Sequence, residues 1–238
     1  MGKYEPPYTI SNKMLELVSS ISEKVGKISS HRELEARPHL RKNNRIRSIH
    51  SSLKIEANSL SLAEVRDVIN GHLVLEDQKE INPKSMSDLI KIHGIMTYRT
   101  VEESGVFRKG EEGVFSGDQC IFVAPPPNMV NELMKDLFSW VKNSEGTIHP
   151  LIMSAVFHYE FVFIHPFADG NGRMARLWHT VMLYRWRNVF EYIPLESQIE
   201  RFQAEYYDAI AKCHVNGNSD VFIEFMLSMI DQVLDEVI

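Results

Sequence analysis

His165–Arg176 reads HPFADGNGRMAR, and this stretch decides what the rest of the chain has to build. It follows one helical run and opens another. Gly170-Asn171-Gly172 lets backbone amides turn outward at the new helix's N-terminus. There the first-turn N–H groups lack partners and the macrodipole favours negative charge, which makes an anion site. Arg173 and Arg176 stand three apart, on neighbouring positions of that helix, and guanidinium groups grip phosphate oxygens in pairs. Asp169 is a hard oxygen ligand beside the cradle, suited to Mg²⁺ held jointly by one carboxylate and the phosphates. His165 can accept a proton near neutral pH. Each element alone has a plain reading: Asp169 and Asn171 as helix caps, the glycines as a turn, the arginines as solvated side chains. Together they combine a phosphate cradle, a metal carboxylate and a base.

Outward from this stretch the chain reads as helical. Upstream, a helix is expected from Pro150 to about Phe163, preceded by a face of Val130, Leu133, Met134, Leu137 and Val141. Gly105–Pro127 differs. Four glycines precede the strand-like CIFVA run, which three prolines terminate, so the segment reads as a hairpin or flap. Ser85 with Asp88 starts a helix containing Leu89, Ile92 and Met96. Ser61 with Glu64 forms a capping box for a short helix that Asn70-Gly71 ends. Ile46, Ile49 and Leu53 mark one face of a helix that the basic run RPHLRKNNRIR leads into. Before it, Met14, Val18, Ile21, Val25 and Ile28 recur at helical spacing behind an extended arm reaching to about Ser11. Downstream, one helix is expected to hold Ile199, Phe202 and Tyr206, and the last Phe222, Phe225, Met229 and Val233. The fold class is therefore all-α with a small β-hairpin flap. A helical N-terminal segment, residues 1–75, packs on a core of residues 76–238 as one compact unit.

Composition sets bounds around that reading. The 238 residues are 44% hydrophobic and 24% charged, ordinary for a globular chain. A net charge of −6 speaks against a general nucleic-acid binder and favours solubility. No apolar run is long enough to cross a bilayer, and the start, MGKYEPPYTI, has prolines where a secretion signal needs an apolar core. Cys120 and Cys213 have no metal-type spacing and form no disulfide framework, which fits a cytoplasmic location.

HPFADGNGRMAR resembles the Fic signature, HPFx(D/E)GNGRxxR, at every defined position. The likeness extends to HPLIMSAVFHYEFVFIHPF before it, IPLESQIERFQAEYY and FIEFML after it, and SGVFR and IFVAPPPNMVNELM upstream. The resemblance covers most of the chain. It implies a Fic-type helical bundle that transfers AMP from ATP to a Ser, Thr or Tyr hydroxyl of a target protein or of itself. His165 would be the base and Phe167 would pack inward to fix the loop. Asp169 would hold Mg²⁺ or Mn²⁺. Gly170, Asn171 and Gly172 would form the anion hole, Asn171 also through its side chain. Arg173 would contact the β-phosphate and Arg176 the γ-phosphate. Gln119, Cys120, Ile121 and Phe122 match the flap edge that holds the target segment. Tyr206 and Tyr207 match an aromatic pair near the adenine, with ordinary helix packing as the other reading. His214 stands where related chains often have Asn.

Glu56 falls three residues beyond Leu53 on the stripe of Ile46 and Ile49. A carboxylate on an apolar face needs a partner if buried; otherwise the helix end emerges into solvent. SSLKIEAN resembles the family's inhibitory motif, a Ser or Thr, three residues, Glu, then Gly or Asn. Ser52 and Glu56 are in place, and Ala57 departs from the pattern. The resemblance implies that Glu56 pairs with Arg176 and blocks the γ-phosphate. A second departure is the short junction at Ile81-Asn82-Pro83, where relatives carry a longer stretch.

Other activities compete. Transfer of UMP, phosphocholine or phosphate is one, although the intact GNGR favours a triphosphate in the usual orientation. A non-catalytic antitoxin-like partner is another, and a complete catalytic signature argues against it. No basic recognition helix follows Ile199, so a DNA-binding regulator is disfavoured. His149, His158, His165 and His179 lack paired zinc spacing. The expected partners are ATP and a protein, with neither nucleic acid nor membrane, and a homodimer stays open.

Overall fold

Ser11 starts the first helix: its Oγ accepts the Met14 N–H at 3.1 Å, the usual device for an orphan first-turn donor. This computed structural model describes residues 4–30, 38–56, 81–98, 101–116 and 119–236. Helix α1 spans Asn12–Ser30 and α2 Pro38–Ile55. After them come α3 (Met86–Met96), strands β1 (Gly113–Ser116) and β2 (Gln119–Val123), and α4 (Pro127–Asn143). Then follow α5 (Pro150–Ile164), α6 (Asn171–Trp186), a 3-10 turn (Asn188–Tyr192), α7 (Leu195–Arg201), α8 (Gln203–Asn216) and α9 (Asp220–Asp235). The Ser61–Gly71 helix expected from the sequence and Ala57 lie outside the described residues, whereas the Ile81-Asn82-Pro83 junction lies within them.

Helix α5 is the centre. It is apolar nearly all round, the pattern of a helix packed on every side. It lies against α6, with α4 and α9 also on it. Helix α1 packs on α9, and α2 on α7. One continuous core therefore runs from Met14 and Ile21 through Phe157 and Trp178 to Leu234. Burial of that apolar area, at about 25 cal/mol per Å², is the main force holding the bundle together. Two longer-range ties reinforce the N-terminal arm and α1. Tyr4 Oη donates to Glu160 at 2.6 Å, and Lys24 pairs with Asp231 at 2.9 Å.

The two strands form an antiparallel hairpin with Gly113 opposite Val123 and a register shift after Val114. It is the single sheet among the described residues. No helix among them is long and apolar enough to cross a membrane.

Three local expectations need correction. The run beginning at Pro38 does not lead into α2 but is its start, with proline at a position whose N–H has no helical partner anyway. The face of α2 turned to the core carries Ile46, Ser51 and Ile55, while Ile49 and Leu53 are half-buried. The inward stripe is thus rotated from the one that apolarity alone suggests, because Ser51 finds a polar neighbour, Ser197, at 3.0 Å. The helix expected to hold Ile199, Phe202 and Tyr206 is two helices, α7 and α8, with Phe202 outside the helical region at φ −114°, ψ 39°. A seven-residue interval keeps Ile199 and Tyr206 on one side with or without a break, so periodicity does not report it.

Candidate active site

The site grows from the loop between α5 and α6. Helix α5 ends at His165, whose backbone is left-handed (φ 51°), the one non-glycine positive φ among the described residues. Helices commonly stop this way, but usually with Gly, because a Cβ strains the turn. Such strain persists where its surroundings hold it, and here they do. Phe167 is fully buried, stacked on His93 with centroids 3.6 Å apart. The Asn171 side chain accepts from Phe167 N at 2.9 Å and donates to Phe167 O at 2.7 Å. The Asn171 amide thus braces the loop from the first turn of α6 with its oxygen and one of its two N–H donors. Gly170, at φ 82°, completes the turn into α6.

Two residues that sequence reasoning passed over brace this loop. His93 is fully buried; its Nδ1 accepts the Gly105 N–H at 3.0 Å, so Nε2 carries the proton and donates to Asp169 O at 3.0 Å. Arg108, also buried, reaches the carbonyl of His165. Neither lies in the dense motif. The available signals were the SGVFR stretch that ends in Arg108 and the place of His93 four residues after Leu89 on one helix face.

His165 Nδ1 lies 3.3 Å from the Val162 carbonyl. A carbonyl only accepts, so Nδ1 carries the proton and Nε2 is left as the free base. Burial pushes the His165 pKa below its ordinary value. The Val162 carbonyl opposes that, Arg108 adds to it, and Glu56 and Asp169 oppose it weakly. The ring is thereby held neutral near pH 7.

At the first turn of α6, where the backbone N–H groups lack helical partners, a carboxylate lies over Gly172. A Cβ placed on Gly172 would collide with Oε1 of Glu56. That oxygen also accepts from Arg176 Nη2 at 2.8 Å. Ser52 takes two more of its donors: its Oγ accepts from Nε at 3.0 Å and its carbonyl from Nη2 at 2.9 Å. Arg176 is 1% exposed while Glu56 is 34% exposed, so a buried cation meets a carboxylate reaching in from the rim. Arg176 Nη1 and Arg173 Nε are buried with no partner. Two unsatisfied guanidinium nitrogens beside a helix N-terminus fit an oxyanion larger than one carboxylate. Arg173 Nη2 meanwhile donates to Asp169 Oδ2 at 2.8 Å.

The remaining candidates divide. His214 stacks on Phe122 of the hairpin, centroids 4.1 Å apart, and lies 3.0 Å from the Tyr159 hydroxyl, directly beneath the flap. Tyr207 is 44% exposed and donates to the Ile55 carbonyl at 3.1 Å. Tyr206, one position round α8, is buried, and its hydroxyl lies 2.9 Å from His158 Nε2. It packs in the core beside Arg176. The side chains of Gln119, Cys120 and Ile121 lie outside the described residues; the backbones of Gln119 and Cys120 pair with Ser116 and Phe115 of β1, and Ile121 falls at the register shift.

Asp169 is the sole carboxylate of the motif, more than half exposed. No cluster of three or more His, Cys, Asp or Glu able to hold a metal exists among the described residues. A single exposed carboxylate beside a phosphate cradle still suits Mg²⁺, which takes one or two protein oxygens and completes its shell from phosphates and water.

A left-handed histidine turn, an arginine-lined helix N-terminus and a hairpin over an all-helical core define the chain's class. The chain belongs to the Fic family. The model of the Fic/DOC family matches residues 83–183. The fold matches the crystal structure of a Fic family protein from Desulfovibrio desulfuricans, 37% identical, with a TM-score of 0.90 over 98% of this chain and 76% of that one. A Fic domain containing signaling protein from Bacteroides thetaiotaomicron shares the fold at 18% identity and a TM-score of 0.71, covering 94% of this chain and 95% of that one. Among curated proteins, the Protein adenylyltransferase Fic of Aedes aegypti is 27% identical over 80% of this chain. That of Drosophila mojavensis is 26% identical over 92% of it. The alignments take in 41% and 46% of those two relatives, so the chain spans less than half of their length.

Proposed function

We propose that this chain is a protein adenylyltransferase that moves AMP from ATP onto a Ser, Thr or Tyr hydroxyl of a protein, itself included, and that Glu56 holds it in check. The observation that carries this reading is the Glu56 carboxylate lying over Gly172 and against Arg176. An anion occupies the first turn of α6, and unpartnered arginine nitrogens remain beside it.

In the proposed reaction the first-turn amides of α6 receive phosphate oxygens, with Arg173 and Arg176 on the β- and γ-phosphates. His165 Nε2 takes the proton of the attacking hydroxyl. The hydroxyl oxygen bonds to the α-phosphorus, the bond from that phosphorus to the β-phosphate oxygen breaks, and pyrophosphate leaves. Asp169 would hold Mg²⁺ or Mn²⁺, which when bound neutralises phosphate charge. The chain's own contribution is positioning and preorganised donors, the larger share of catalysis in sites of this kind. In this reading His214 and Tyr207 would contact the base of the nucleotide, and the β2 edge would offer main-chain groups to an extended target segment. ATP and a protein are the partners; nucleic acid and membranes are not. A cytoplasmic setting would keep a free buried thiol such as Cys213 reduced.

The deciding experiment is labelled-nucleotide transfer by the wild-type chain and Glu56→Gly, with ATP, GTP, UTP and CTP, with and without chelator. Mass spectrometry of the modified residue identifies the transferred group. Self-modification by Glu56→Gly should exceed wild type by well over tenfold, a barrier change above about 1.4 kcal/mol, and should stop with chelator. Equal rates for the two chains would overturn the brake. A different transferred group, or none from any nucleotide, would overturn adenylyl transfer.

A further inference from the structure

Arg108 is a buried cation, 3% exposed, and among the described residues no carboxylate lies in salt-bridge contact with it. Its guanidinium is spent on main-chain carbonyls. Nε donates to His165 O at 2.6 Å, and Nη2 reaches Ile164 O at 3.4 Å. These two carbonyls close α5, where a helix leaves acceptors unsatisfied and its dipole welcomes positive charge. The other contacts run to the hairpin. Nη1 donates to Gly110 O at 2.8 Å on the leg entering β1, and Nη2 to Pro125 O at 2.6 Å on the leg leaving β2. The Arg108 backbone N–H donates to Pro166 O at 3.0 Å. The hairpin legs are themselves joined at the base by Ala124 N to Glu112 O, 3.0 Å.

One planar fork thus touches both legs of the flap and the carbonyl of the left-handed residue that carries the candidate base. Burying a charge costs several kcal/mol unless its hydrogen bonds are all met. A lysine would offer a point charge in place of the fixed fork. We propose that Arg108 is a positioning residue that holds the flap hairpin and the His165 turn in one fixed relation, so that a target hydroxyl aligned along the flap arrives at His165 Nε2. This rests on the adenylyltransferase reading given above. Arg108 touches neither nucleotide phosphates nor the reacting atoms. It acts through the carbonyl of His165: holding that carbonyl fixes the backbone from which the imidazole projects. A plain cap for α5 would require only the contacts to Ile164 and His165; the contacts to Gly110 and Pro125 make it a bridge.

The test uses Arg108→Lys and Arg108→Ala in the Glu56→Gly chain, where transfer is unbraked. The single-turnover rate at saturating ATP should fall on the order of tenfold to a hundredfold, as a misplacement of about 1 Å would cause, with ATP Kd within about twofold. Methylguanidinium should restore part of the rate to Arg108→Ala and none to Arg108→Lys, whose side chain still fills the slot. Hydrogen exchange gives a readout independent of activity. The amides of Ala124 in the hairpin base and of His165 and Phe167 in the loop should quicken together, while α5 up to Phe161 keeps its protection. A parental rate in Arg108→Lys, or quickening of the hairpin without the loop, overturns the proposal. If the Glu56→Gly parent transfers nothing, the adenylyltransferase reading fails on its own. The exchange data then decide the bridge: joint quickening upholds it, independent behaviour sinks it.

Discussion

His165 combines a strained backbone with a depressed pKa, and both follow from its place at the end of a buried helix. The left-handed turn swings its carbonyl toward Arg108 and leaves its ring beside Val162. Burial, chiefly, keeps the ring neutral, the state a general base needs. With its pKa lowered, the acid limb of transfer lies below the ordinary histidine range, and activity is retained as pH falls toward that limb. His165→Ala should cut transfer by about 10²–10⁴-fold while ATP affinity stays near that of the parent, because the base acts on the acceptor. Rates in the Glu56→Gly background together with calorimetric ATP binding check this. Wild-type transfer without the imidazole would rule out its role. Asn171 belongs to the same scale: its amide oxygen and one N–H hold Phe167 and fix the loop.

At the scale of elements, the question is what keeps the end of α2 over the first turn of α6. Arg176 supplies three hydrogen bonds, all to Ser52 and Glu56. The second anchor is on α8. Gln203 Nε2 donates to the Ile55 carbonyl at 2.8 Å, and the Tyr207 hydroxyl donates to the same oxygen at 3.1 Å. This is one of the last carbonyls of α2, which the helix leaves unpaired. Gln203→Ala removes one donor and should loosen the end of α2 by about 0.5–1.5 kcal/mol. Under the proposed Glu56 brake, self-modification of the otherwise wild-type chain should rise several-fold, and that of the Glu56→Gly chain should not rise further. A gain of equal size in both backgrounds would mean that Gln203 acts on the nucleotide side. Helix α7 takes part as well, with Lys54 paired to Glu200 at 3.1 Å, an exposed contact of small value.

At the scale of the molecule, the helical bundle buries its histidines. His93, His149, His158, His165, His179 and His214 all have lowered pKa values with burial as the first cause. His179 is the clearest: held by Ser154 O at 3.0 Å, it titrates at about 4 in the folded chain. The unfolded chain takes up protons near pH 6.5, and the folded one resists until far lower. Between these values the unfolded state binds more protons, so stability is full above about pH 6.5 and falls as pH drops toward 4. His179 alone contributes on the order of 3 kcal/mol over that window. Glu160 opposes this: burial raises its carboxyl pKa, so its share of stability grows as pH falls. The thermal midpoint should drop between pH 6.5 and 4, and the drop should be shallower in His179→Asn, whose amide can still donate to Ser154 O. Parallel midpoint curves for the two proteins would remove His179 from the account.

The sequence by itself determined what depends on neighbours along the chain. Helical spacing placed α1, α4, α5 and α9. Ser85 with Asp88 marked the start of α3, where Ser85 Oγ accepts the Asp88 N–H at 3.1 Å. Glycines followed by a strand-like run marked the hairpin. The loop between α5 and α6 was legible because a helix N-terminus with glycines and arginines is local chemistry, and the family followed from that stretch. The tertiary structure decided whatever depends on groups far apart in sequence. Arg176 meets Glu56 across 120 positions, and Arg108 meets His165 across 57. Asn171 turns inward, Tyr206 disappears into the core while Tyr207 faces the end of α2, and α2 is rotated so that Ser51 and Ile55 face the core. Periodicity reports which residues share a face. It does not say what lies opposite that face, and a buried polar group takes its role from the partner opposite it.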